Sequence, residues 1–134
     1  MEKMLNNLVF ANLALLITHQ IDAAYWHEWE MFKLPGGIQL YNLLNLALFI
    51  AILRSTQPIL NRTASGFRNC LIIGGLSSLV LPIHVCFALA GFQQFHLPVS
   101  ISIIGLSFLA SISLIIVTMQ SRAIFSKKSD QHRS

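Results

Sequence analysis

The chain has 134 residues, 54% of them hydrophobic and only 10% charged, where an ordinary soluble domain has about a quarter charged. The apolar residues come in long runs and the basic residues behind the formal charge of +4 flank them, which excludes a soluble catalytic domain and gives no reason to expect nucleic acid. One domain is the natural count at this length.

The apolar run from Leu8 to Ile17 follows Lys3 as in a signal peptide, but Asp22-Ala23-Ala24 puts an acid where cleavage needs a small residue. The first element therefore reads as an uncleaved membrane helix over about residues 4–31, closed by Leu34-Pro35-Gly36-Gly37. Its second half is the most polar part of the hydrophobic region. His19-x-x-Asp22 is followed eight residues later by His27-x-x-Glu30. At about 100° per residue, Asn12, His19, Asp22, Trp26, His27 and Glu30 share an arc of about 140°. Glu28, Trp29 and Tyr25 point elsewhere on such a helix, Glu28 as a solvated charge and Tyr25 and Trp29 as part of an aromatic belt.

A second helix is expected over about residues 38–53, with Gln39, Asn42 and Asn45 at i, i+3 spacing. A polar loop over residues 54–68 holds Pro58 and the glycosylation-like Asn61-Arg62-Thr63. The third helix, residues 69–91, carries Gly74-Gly75-Leu76-Ser77-Ser78 for close packing and Pro82 for a kink. The fourth opens at Pro98 and runs to about residue 119, with Gly105, Ser107 and Ser111 as small packing residues. Residues 120–134 read as a basic, disordered cytoplasmic tail. Cys70 and Cys86 form no CxxC or zinc pattern, and sixteen residues on one helix hold them about 24 Å apart, beyond disulfide reach.

The expected fold is thus all-α: a four-helix, up-down integral membrane bundle over residues 1–119. Lys3, Arg54, Arg62, Arg68, Arg122, Lys127, Lys128 and Arg133 lie on one side of it and Lys33 alone on the other. Positive residues stay cytoplasmic, so both termini are expected inside.

That orientation gathers His19, Asp22 and His84 near the outer interface. Ionisable groups at membrane depth pair with one another or face a cavity. The expected ligand pocket comprises His19, Asp22, Trp26, Gln39, Asn42 and His84, with His19, Asp22 and His84 as a first shell for a divalent metal. Haem is not the expected cofactor. His27, Glu30 and His96 are expected to be exposed. The chain has no Gly-x-Ser-x-Gly elbow, His-Glu-x-x-His pair, phosphate loop or CxxCH.

These residues suit binding, or assisting passage of, a cation, proton or small polar solute. The alternative is a membrane-embedded enzyme acting on a lipid or quinone-like substrate, using His19 and Asp22 as acid and base or a bound metal. A second alternative is a structural partner subunit. The expected partners are the lipid bilayer and either a second copy or another membrane protein.

The run from Thr18 to Phe32, followed by Leu34-Pro35-Gly36-Gly37, resembles a family of small bacterial four-helix membrane proteins known only as a domain of unknown function. It is also loosely similar to the HXXEE group, whose paired acids are adjacent where here they are not. The resemblance implies a bacterial inner-membrane protein and no particular activity.

Overall fold

The computed structural model describes residues 2–131, with side chains over residues 3–125. Six helices follow one another: α1 (Glu2–Tyr25), α2 (Glu28–Met31), α3 (Gly37–Leu60), α4 (Ala64–Ser78), α5 (Val80–Leu89) and α6 (Pro98–Gln131). Four stretches are long and apolar enough to cross a membrane: Lys3–Tyr25, Gly37–Leu60, Ala64–Leu89 and Pro98–Phe125. The third is α4 and α5 together, broken at Leu79, three residues before Pro82.

Several boundaries differ from expectation. The first helix stops at Tyr25 instead of reaching residue 31. The second continues to Leu60, because Ser55 and Thr56 turn their hydroxyls back onto the Ala51 and Leu53 carbonyls and remain compatible with the helix. Thr63 then caps α4 by accepting from Gly66 N at 3.1 Å, so that helix begins well before residue 69. Residues 120–131, expected as a disordered tail, continue α6, and residues 132–134 lie outside the described residues.

Helix α6 is the centre of the bundle, packed antiparallel against α1 on one side and α4 on the other. The register shows in Asn12 Nδ2, which donates to the Ala110 carbonyl at 3.0 Å, and in Trp26 Nε1, which donates to Ser100 Oγ at 3.1 Å. The α4–α6 crossing is close because Gly74 has no side chain. A β-carbon there would stand 2.8 Å from Ile115 Cγ1 and 3.3 Å from the Ser111 carbonyl, whereas Gly75 and Gly105 have open space. Helix α3 packs mainly on α4 and leaves Leu43, Leu46 and Leu53 exposed, a face suited to lipid.

The core falls into two clusters. Leu5, Val9, Ile59, Phe67, Cys70, Ile73, Leu114 and Val117 fill the end that carries the α3–α4 turn with Arg62. Ala23, Met31, Tyr41, Phe95 and Ile104 fill the opposite end, where the polar residues of α1 meet α5.

Candidate metal centre

Helix α1 ends through His27, which adopts a left-handed backbone at φ 55° and donates its N–H to the Ala24 carbonyl at 3.3 Å. Glycine normally takes this position, since a β-carbon makes the left-handed region unfavourable. Here the turn has a structural result. It breaks the helical register after Tyr25, and the single turn of α2 then buries Glu28 and Met31 over the end of the bundle. Glu28 is only 6% exposed. The expectation that it is a solvated charge is therefore corrected: it assumed one continuous helix through residue 31, on which Glu28 faces away from His19.

His84 approaches from α5. Its Nδ1 lies 2.8 Å from the Val80 carbonyl. A carbonyl only accepts, so Nδ1 carries the hydrogen, and in the neutral imidazole Nε2 presents a lone pair. That lone pair faces Glu28 Oε1 at 3.5 Å, with both side chains almost fully buried. His19 completes the group: it is 2% exposed, its ring meets that of His84 edge to face at 5.0 Å between centroids, and its Nδ1 has no hydrogen-bond partner. One ligand atom from each of His19, Glu28 and His84 lies within 4.8 Å of the others. Among the described residues this is the one such group of three.

The lid of the site is aromatic. Phe95, buried and also left-handed at φ 61°, packs edge-on to His84 at 4.3 Å and lies 5.9 Å from His19. Two non-glycine residues in a sparsely populated backbone region thus border the cluster, one delivering Glu28 and the other closing over the imidazoles. Strain of this kind concentrates where surrounding structure enforces a particular geometry.

Asp22 stands beside the cluster with partners of its own. Its Oδ1 accepts from Ser100 Oγ at 3.0 Å, and Ser100 Oγ accepts from Trp26 Nε1, so the end of α1 is tied to the start of α6. Asp22 Oδ2 is buried without a partner. Of the expected trio, His19 and His84 meet, Asp22 is bonded to Ser100, and Glu28 is the carboxylate grouped with the two rings. Trp26 walls this region through Ser100 and Phe95. Gln39 and Asn42, expected in the pocket, are exposed on α3. The α1–α3 contact at this level instead uses the Tyr41 hydroxyl, which donates to Gln20 Oε1 at 2.7 Å. His27 and Glu30 form an exposed pair at 3.7 Å, and His96 is exposed, both as expected.

Glu28, outside the membrane-spanning segments, has its carboxyl pKa raised to about 7, first by burial and then by the charge of Asp22. Near neutrality it therefore exchanges readily between acid and carboxylate. As an acid it supplies the proton that separates its oxygen from the His84 lone pair. As a carboxylate it leaves two electron-rich atoms facing each other, an arrangement a cation relieves.

Sequence reasoning missed Glu28, Phe95 and Ser100. Glu28 and Met31 are three apart, the spacing of one buried face on a one-turn helix, but that signal is legible only once the break at His27 is known. Phe95 and Ser100 carry no local signal, since their roles come from how the α5–α6 connection and the start of α6 pack against α1.

Four apolar spans around a buried histidine–carboxylate cluster define an all-α bundle of the multi-pass membrane type. The chain belongs to a family of unknown function, DUF6713, which it matches over residues 5–121. No curated protein and no solved structure matches it.

Proposed function

We propose that this protein binds a divalent transition-metal ion, with zinc as the first probe, through His19, Glu28 and His84. The observation that carries the reading is the lone pair of His84 Nε2. It is aimed at a buried carboxylate, its tautomer is set by the Val80 carbonyl, and a second unpartnered imidazole lies in contact. Metal-bound histidines typically donate their other ring N–H to a carbonyl or carboxylate in this way. Two imidazoles and one carboxylate form a three-ligand set that leaves a coordination position open.

Ligand atoms about 2.1 Å from a tetrahedral ion stand about 3.4 Å apart. The widest separation, within 4.8 Å, therefore closes by at most about 1.4 Å on binding. Glu28 can make that adjustment, since it sits on a single turn of helix between two loops. Asp22 adds negative charge beside the ion and holds the α1–α6 junction.

The basic asymmetry supports a reading in which this end of the bundle faces the non-cytoplasmic side with both termini inside, and the membrane we propose is the bacterial inner one. The site then lies where a cation arriving from outside first meets the protein.

The test is elemental analysis of protein purified in mild detergent without chelators, supplied with zinc and dialysed. One zinc per chain is expected for the wild type, with Glu28→Gln and His84→Ala each losing it. A wild-type chain that retains none removes the reading.

A further inference from the structure

After the break at Leu79, α5 packs on α6 less extensively than α4 does. A cavity of about 610 Å³ lies between α5 and α6, within the range of about 300–1,000 Å³ usual for small-molecule sites. Within the helices its walls are Leu81, Val85 and Ala88 of α5 and Ile101, Ile104 and Gly105 of α6, and Gln93, Gln94 and His96 of the α5–α6 connection also line it. All six helix residues lie inside apolar spans, and Val85 and Ile101 are exposed on the lipid-facing side. His84 also lines the cavity, so its inner end reaches the proposed metal centre. The six helix residues offer a polar solute nothing, whereas a hydrocarbon chain entering sideways from the bilayer gains from burial against them. The inner end selects the head. A divalent ion with two neutral imidazoles and one carboxylate keeps an open position, which an oxygen ligand such as a second carboxylate fills.

We infer that the α5–α6 cleft binds the chain of a fatty carboxylate taken from the bilayer, its head coordinating the ion held by His19, Glu28 and His84. The inference rests on the metal reading above and names the ligand class of that same site. Gly105 allows the two to be tested apart. A side chain there meets no atom within 4 Å as its β-carbon is added, so a larger residue grows into the cavity and leaves the three metal ligands untouched.

Zinc content and binding of labelled palmitate are measured together on the full chain in nanodiscs, for the wild type, Gly105→Leu and Ile101→Trp. The wild type is expected to bind palmitate more tightly with zinc than without, and to bind palmitate methyl ester, which lacks the anionic head, at least about tenfold more weakly. Each methylene displaced from the cavity weakens binding about fourfold, so Gly105→Leu is expected to lose tenfold or more while keeping its zinc. Retained zinc shows that the centre is still assembled. If Gly105→Leu loses zinc, Ile101→Trp at the lipid-side opening replaces it as the blocking variant. Unchanged palmitate binding in a blocked variant that holds zinc overturns the fatty-acid inference and leaves the metal reading standing. Equal binding of the ester overturns the head assignment. No zinc in the wild type overturns both.

Discussion

His84 Nε2 and Glu28 Oε1 face each other at 3.5 Å inside the protein, and neither side chain is more than 8% exposed. The separation is too long for a good hydrogen bond. The nitrogen has no hydrogen-bond partner, and the opposite ring nitrogen is engaged by Val80. A proton or a cation between the two members relieves a buried pair in this state.

The two neighbouring carboxylates are expected to differ in their effect on metal. Removing a residue that only steadies or polarises a ligand costs about 10–100-fold in affinity, and removing a ligand costs more. Glu28→Gln is therefore expected to weaken zinc by more than about a hundredfold, and Asp22→Asn by about tenfold. Competition with a chromophoric chelator measures both. The reverse order would make Asp22 the ligand.

Glu28 also has a stability signature in the metal-free protein. Its pKa rises from 4.5 to about 7 on folding, so the folded state holds the proton more tightly than the unfolded one. Below pH 4.5 both states are protonated and the group contributes nothing. As pH rises from there towards 7, its burial becomes steadily more destabilising, reaching about 3 kcal/mol. Glu28→Gln is thus expected to stabilise the metal-free chain by up to that amount at pH 8 and to have little effect at pH 4. Denaturant unfolding in detergent at the two pH values gives the comparison, and a variant less stable than wild type at pH 8 contradicts it.

His27 is expected to matter through its backbone alone. Glycine at this left-handed position should keep the metal and stabilise the chain by about 1 kcal/mol. Valine, a poor fit to positive φ, should destabilise the turn and lower zinc retention although residue 27 touches no ligand. Equal zinc content in His27→Gly and His27→Val would mean that the turn does not position Glu28.

Adjacent glycines on α4 should respond in opposite senses. Gly74→Ala forces Ile115 to move and is expected to cost about 1–2 kcal/mol. Gly75→Ala meets open space and gains up to about 1 kcal/mol of helix propensity. Thermal unfolding of the two variants resolves the difference, and identical shifts would mean that the α4–α6 crossing is looser than described.

Orientation can be read independently of the site. A reporter active only in the cytoplasm should give signal when fused after Ser134 and none when fused after Gly37. The opposite pattern would place the histidine cluster on the inner face.

The four spans were legible because each is a long apolar run, and a membrane requires nothing more specific of a spanning helix than length and apolar composition. His19 and His84 were legible as site candidates for the complementary reason: a titratable side chain within such a run is costly unless it is used. Helix ends were less legible. Ser55, Thr56 and Thr63 read as loop by composition, yet their hydroxyls bond the local backbone and extend one helix or cap the next.

The amino-acid sequence by itself thus determined the class of fold, the number of spans and the end of the bundle where the polar residues gather. Each of these follows from apolar runs and the few polar interruptions within them. Only the tertiary structure decided that the third member of the cluster is Glu28. A left-handed residue at position 27 resets the helical register, and every angle projected beyond it along a continuous helix is lost. Likewise, only the packing of α5 and α6 against α1 brings Phe95 over the imidazoles and Ser100 to Asp22. The contacts of Phe95 with His19 and of Ser100 with Asp22 join residues more than seventy positions apart, and no local periodicity encodes them.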